Sequence, residues 1–392
     1  MQLFTLNDDF RPEEVVEGYK SCIWAERYSA WGDIELVFPY DRPVRSLLTE
    51  GTQLGLDKSY RVMTVEDLED GVNDDGEKIL TVTGRSIESK LDDRAAIDPL
   101  TLGGTEAKPK WDLTGLPAAI ARKIFQDICV LGLLSPDDTF PFYTAGTLLP
   151  TGTIPEPADE VTISLDPDSV YNSIKKVCDI YNLGFRMVRN PEASQMFYEV
   201  YTGDVRTSAQ STFPAMIFSP ELDNLSNTKQ LTSISQLKNV AYVIGQNGST
   251  TVFATGVDPE VTGFDRRVLL VMANDIDHAA GSPELEAALQ QKGLEELSKY
   301  QKIFTFDGEI ASNNLQYMVD YDLGDIVEQR NAEGFSTEMR VTEQIFIDDD
   351  ENGERSYPTL SVNQVINPGS WLSWTANQKW AEVPLETYWA NA

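Results

Sequence analysis

Apolar side chains fall at every second position through most of this chain, and at helical spacing in only three longer stretches. A chain patterned that way is mainly sheet, with its helices confined to inserts. Ile34, Leu36 and Phe38 alternate along one strand, after Ile23 to Tyr28 and a turn at Trp31-Gly32. Arg61 to Leu68 and Ile79 to Thr83 make a second pair across the polar, glycine-bearing loop Asp70 to Gly76. Gly84 is expected to break that strand. Ser86 to Arg94 suits a short helix or turn with Ile87 and Leu91 inward.

The period then changes. Leu116, Ile120, Ile124, Ile128 and Leu131 predict a helix with Pro117 in its first turn and Gly132 at its end. Val170, Ile174, Val177, Cys178 and Tyr181 predict a second, opened by Asp168 or Ser169 and stopped by Gly184. Ser135 to Pro167, rich in Pro, Thr, Gly and Asp, reads as an extended surface loop between them. Phe185 to Val188 and Met196 to Tyr201 return to strand, so the block is a small α/β insert.

From Phe213 the pattern is β again. Met216 to Phe218, Asn239 to Ile244, Thr251 to Thr255 and Arg267 to Met272 are strands, with a turn at Gln246 to Ser249. One long helix follows Ser282, with Pro283 first, Leu285, Leu289, Leu297 and Tyr300 inward, and Glu284 and Glu286 at its positive end. Ile303 to Ile310, Ile326 to Glu328 and Glu338 to Ile347 complete the strands, and Asp348 to Glu354 is a hairpin tip before Pro358 to Val362. The succession gives an α+β chain, mainly β: a barrel interrupted by an insert and followed by a second barrel. The expected divisions are 1–110 (first barrel, part), 111–210 (insert), 211–265 (return strands), 266–366 (helix plus second barrel) and 367–392 (a terminal strap).

Charge excludes two classes of function. Acidic residues number 63 against 31 basic ones, a net charge of −32. A stable nucleic-acid binder needs a basic footprint to displace counterions, and a peripheral membrane protein needs one for anionic lipid. Cys22, Cys129 and Cys178 are far apart and never in a C-x-x-C pair, so neither a disulfide framework nor a zinc site is expected. Met1 to Phe10 has no basic region followed by an apolar one, and Val268 to Met272, among the most apolar runs, is strand-sized. The expectation is a soluble product made in the cytoplasm.

An enzyme needs its reacting groups, and each candidate has a simpler reading. His278 is the only histidine; with Asp275 and Asp277 it could be a carboxylate-held general base, but no nucleophile signature accompanies it and a loop before a helix is commonly Asx-rich. Sixty-three acids make chance carboxylate pairs abundant, so a glycosidase pair cannot be read from type alone. Asp348-Asp349-Asp350-Glu351-Asn352-Gly353 opens like a calcium loop, yet the position requiring a bidentate acid is Thr359. Phosphate-cradling glycine loops are missing. No catalytic residue, metal or cofactor is expected, and the chain does not read as an enzyme.

Four of the seven tryptophans, Trp371, Trp374, Trp380 and Trp389, stand after Asn367 without a clear period. They suggest a strap laid over another surface, and subunit docking is the expected role because aromatics dominate interface energetics. Exposed, Trp371, Trp374 and Trp380 would suit a carbohydrate-binding module, which a glycan array would reveal; a wall hydrolase would show in a zymogram.

The ordered landmarks carry a resemblance. Trp24-Ala25-Glu26-Arg27-Tyr28-Ser29 with Gly32-Asp33-Ile34-Glu35-Leu36 comes first, then Val62-Met63-Thr64-Val65-Glu66. Leu80-Thr81-Val82-Thr83-Gly84-Arg85-Ser86-Ile87, Leu91-Asp92-Asp93-Arg94, Phe218 to Leu225 and Gly263-Phe264-Asp265-Arg266-Arg267 follow. Together they resemble a minor tail protein family of siphoviruses infecting actinobacteria. Tyr321-Asp322-Leu323-Gly324-Asp325-Ile326-Val327 resembles a strand opening common in tube and hub barrels. The resemblance spans the chain up to Asn367. It implies a fold like the baseplate hub of contractile phages, with two tube-type β-barrel domains and an inserted α/β module. It also implies a homotrimer whose six barrels cap a hexameric tail tube at the tail tip of the virion. Its implied partners are the distal tail or tube protein above and tip or fibre proteins below, with DNA only as passing cargo. Such a channel is expected to have a net negative bore.

Overall fold

The computed structural model describes residues 1–362 apart from 41, 73–75, 104–109, 141–159, 191–194, 255–256, 258–260, 275, 277, 301, 311–314, 331–335 and 352. Trp371, Trp374, Trp380 and Trp389 lie outside the described residues. The chain forms two compact units, one from Met1–Gln230 with Thr305–Asn363 and one containing Leu231–Phe304.

The first unit is built on one long ladder. From its edge it runs Pro12–Val16, Leu3–Leu6, Gln53–Leu56, Val62–Val72, Lys78–Ser86, Asp33–Pro39, Ser21–Arg27, Ser336–Asp349 and Gly353–Val362, with Ile303–Ile310 beyond. Alternation sets the register. Ile34, Leu36 and Phe38 are buried on Asp33–Pro39 while Glu35 faces water, and they join Trp24, Leu54, Met63, Leu80 and Val82 in one core. Burying each such side chain contributes on the order of 1.5–3 kcal/mol. The fold is mainly β, as the alternation implies. Among the described residues the ladder is an open path and closes no barrel, because Pro12–Val16 pairs with Leu3–Leu6 alone.

Three local expectations change. Gly84 does not break its strand; it lies inside Lys78–Ser86, opposite a register shift between Val65 and Asp67, where an added Cβ would sit 2.0 Å from the Thr64 carbonyl oxygen. The glycine is there for close approach, not for termination. The first helix is Pro117–Phe125, continued by a π turn over Gln126–Val130 that changes the phase, so Leu131 is exposed; Leu116, its N-cap, is exposed too. The second helix, Val170–Tyr181, ends on Asn182 in the left-handed region (φ 60°), and Gly184 instead begins the strand Gly184–Asn190.

The α/β module packs these helices against the hairpin Gly184–Asn190 and Gln195–Tyr201, paired in unbroken register. The loop predicted over Ser135 to Pro167 contains a strand, Val161–Leu165, antiparallel to Trp111–Gly115. Its alternation, Ile163 and Leu165 inward, is only two residues deep and hard to separate from the surrounding polar sequence. Cys129 and Cys178 are buried in this core as small apolar groups, and burial pushes the Cys129 thiol up to about 12.

The second unit has a three-stranded sheet with Val240–Gly245 central, antiparallel to Ser249–Phe253 and parallel to Val268–Ala273. Helix Pro283–Ser298 covers one face, placing Leu285, Leu289 and Leu297 against Val243, Val252 and Val271. The Ser282 hydroxyl caps it by accepting from the Leu285 amide at 3.1 Å. Gly293 permits the close approach, since a Cβ there would meet Val252 Cγ2 at 2.5 Å.

Candidate functional site: a buried ionic junction

Within the first unit, strands from opposite ends of the sequence bring charged and phenolic side chains into the interior. Tyr28 follows strand Ser21–Arg27, whose partner Ser336–Asp349 carries Arg340. The buried Arg340 guanidinium lies over the Tyr28 ring, 5.0 Å from its centroid. Its Nη1 donates to the Gly324 carbonyl at 2.6 Å, to the Thr202 carbonyl and to the Tyr28 hydroxyl at 3.2 Å. The Tyr28 hydroxyl in turn faces the Asn182 and Tyr201 carbonyls at 3.0 and 3.1 Å, with one proton for the two. One arginine and one tyrosine thus tie the sheet to the α/β module and to the turn before strand Ile326–Arg330.

That turn explains the Leu323-Gly324-Asp325 landmark. Gly324 has φ +91°, and a Cβ on it would lie 2.5 Å from the Tyr28 ring. Gly203 (φ +72°) packs on the Gly324 backbone just as tightly. Asp325 is buried and accepts from the Asp204 amide at 2.7 Å, the Asp322 amide at 2.9 Å and Arg206 Nε at 2.7 Å. Burial raises its pKa; the two amides and Arg206 oppose that without cancelling it.

A second group lies beside the first. Arg61 and Glu88, both buried, form an ion pair, and Glu88 also accepts from the Met187 amide at 2.7 Å. Arg61 Nη2 donates to the Arg27 carbonyl at 3.1 Å. Glu26 accepts from Trp24 Nε1 at 2.8 Å and from the Tyr317 hydroxyl at 3.0 Å. Burial raises the Glu26 pKa, with Arg61 and these donors pulling the other way. Arg186 donates to Glu199 at 2.6 Å and to Asp322 at 2.9 Å, and its guanidinium stacks 4.4 Å from the Tyr201 ring centroid. Glu26, Arg61, Arg186 and Glu199 line a cleft of about 470 Å³ with Tyr60, Phe197 and Tyr317. Arg61 pairs with Glu88, Arg186 bridges Glu199 and Asp322, and Arg340 is held by backbone carbonyls, which suits holding elements in place.

Glu328 extends the network along its strand. It accepts from Ser336, from the Ser208 amide at 3.2 Å and from Arg330 Nε at 3.0 Å. Burial alone would raise its pKa, but these bonds outweigh it and hold the carboxyl down at about 2 against its ordinary 4.5. A depressed folded pKa contributes stability that is complete above pH 4.5 and is lost as pH falls toward 2. Glu328→Gln should therefore flatten the acid limb of a melting-temperature profile between those values. Superimposable profiles for the two proteins would refute the assignment.

The residues singled out in the sequence fare differently. His278 is exposed, its carbonyl accepting from Asn247 Nδ2 at 2.9 Å, and Asp275 and Asp277 lie outside the described residues. Asp348 and Asp349 pair with Glu354 and Gly353 across the hairpin, Tyr19 donates to Asp348 at 2.9 Å, and Arg355 donates to Asp349, so these acids are engaged as a hairpin tip. Among the described residues no group of three His, Cys, Asp or Glu side chains could hold a metal ion, and no helix is long and apolar enough to cross a membrane. Sequence reasoning did not single out Arg61, Glu88, Arg186 or Arg340. Arg340 carried a signal, as a charge between the apolar Met339 and Val341; Arg61 precedes its strand, Glu88 lies on a short helix and Arg186 alternates with the buried Phe185 and Met187, so these three did not stand out.

The matched charges, the open ladder and the α/β insert together describe a scaffold, and the comparisons give it a family. The model of the Siphovirus ReqiPepy6 Gp37-like protein family matches residues 1–359. The chain belongs to this siphovirus tail protein family. This tail protein matches no curated protein sequence. In fold it is similar to the tail protein from Neisseria meningitidis MC58, with 13% identity and a TM-score of 0.53 over 89% of this chain and 94% of that one. It is similar too to the 43 kDa tail protein of prophage MuSo2 from Shewanella oneidensis, with 12% identity and a TM-score of 0.50 over 92% of this chain and 97% of that one. The landmarks read from the sequence all lie within the matched residues, and the chain is a component of the virion tail.

Proposed function

We propose that this tail protein is a hub subunit of the tail tip, which continues the tube and, as a homotrimer, encloses the channel for DNA. The observation that carries the reading is the whole-length match in fold to a tail protein, 89% of one chain on 94% of the other, which leaves little chain for an unrelated domain. The open ladder supports it: among the described residues the edge strand Pro12–Val16 pairs on one side only, and a neighbouring subunit can complete such an edge. The charge supports it as well. A channel for DNA works best without lysines that grip phosphate, and a net charge of −32 per chain supplies a negative lining. Repulsion at physiological salt reaches about 8 Å, enough to act across a narrow bore.

Native mass spectrometry of the assembled protein should give three times the 43.7 kDa chain mass. A density map of the tail tip should show acids outnumbering bases along the bore. A hexamer, a monomeric fibre or a basic bore would refute the hub reading.

A further inference from the structure

Among the described residues the sheet of the second unit is covered on one face only. Helix Pro283–Ser298 packs on the face bearing Val243 and Val271. On the other, Tyr242 stands opposite Leu270 and Ile244 opposite Met272 in the parallel register. These four are 40%, 62%, 41% and 55% exposed, and the neighbouring positions of the third strand, Ser249 and Thr251, are uncharged. Four large apolar side chains in two adjacent rows make a contiguous patch, which a soluble protein rarely leaves uncovered. Lone exposed apolar residues need no explanation; an ordered block on a sheet face does.

The occupant is indicated by the rest of the chain. Thirty residues, 363–392, follow the last described strand, and extended they reach about 100 Å. They hold Trp371, Trp374, Trp380 and Trp389 but only three charged side chains, Lys379, Glu382 and Glu386, in a protein whose net charge is −32. A nearly neutral, tryptophan-rich segment suits an apolar face whose edge carries the Arg266 guanidinium, 5.8 Å from the Tyr242 ring centroid, because an indole ring accepts both apolar contact and a cation. We infer that residues 363–392 lie across the face formed by Tyr242, Ile244, Leu270 and Met272, with their tryptophans against it. Tryptophan suits the role because its ring buries a large apolar area while the indole N–H stays able to find an acceptor.

The test uses the full chain. With p-benzoylphenylalanine at position 270, photo-cross-linked peptides should map to residues 363–392; cross-links elsewhere in the chain, to another protein, or none, would overturn the inference. Separately, replacing Trp371, Trp374, Trp380 and Trp389 with serine should raise anilinonaphthalene-sulfonate fluorescence about threefold by uncovering the face. Adding Leu270→Ser and Met272→Ser to that variant should return it to the parent level. No rise, or a rise that survives loss of the face, would overturn the inference. Neither readout depends on the number of subunits, so the trimer can fail while this contact stands.

Discussion

Arg61→Met should destabilise the folded protein by about 3–5 kcal/mol, because it strands a buried carboxylate. Glu88 is fully buried, its partner is Arg61, and without that guanidinium one amide, Met187 N–H, is left to hold its charge. Burial would lower the Arg61 pKa on its own; the neighbouring Glu88 and Glu26 more than reverse that. Replacing both partners, Arg61→Met with Glu88→Gln, should recover part of the loss, since no unpaired charge then remains. Urea denaturation of the parent protein and the two variants measures both changes. A single-variant loss below about 1 kcal/mol would place the pair in effective contact with water.

Gly324→Ala should cost about 3 kcal/mol or more, far above an ordinary loop substitution. Two terms add. The backbone at φ +91° disfavours any L side chain by about 1–2 kcal/mol. The new methyl would also lie 2.5 Å from the Tyr28 ring, displacing the ring on which Arg340 stacks. Gly353→Ala separates the terms: it has φ +70° but nothing within 4 Å of the added Cβ, so only the backbone term, about 1 kcal/mol, should appear. Equal losses for the two variants, measured by chemical denaturation, would show that Tyr28 yields freely and that the junction is looser than its geometry implies.

The local pattern of the sequence is enough for much of the fold. Ile34, Leu36 and Phe38 face inward because a strand has period two, and Ser282 with Pro283 opens a helix because one caps an amide and the other lacks one. Family membership was legible in the ordered landmarks, of which Leu323-Gly324-Asp325 has the clearest physical basis: a left-handed glycine under a ring, then an acid that gathers two amides and an arginine.

Tertiary structure decided what depends on residues far apart in sequence. Gly84 reads as a strand breaker until Thr64 is placed against it, and Val161–Leu165 reads as loop until Trp111–Gly115 pairs with it. A strand edge is settled by its partner, and one short alternation cannot name that partner. The same holds for charge. Arg61, Glu88, Arg186 and Arg340 look like solvated surface in a chain this acidic, and only the fold shows that each is matched by groups from a distant segment. Composition determined that the protein is acidic, and apolar alternation that it is mainly sheet. Where its few arginines go was set by long-range packing, because a buried charge is tolerated only where the fold supplies its counterpart.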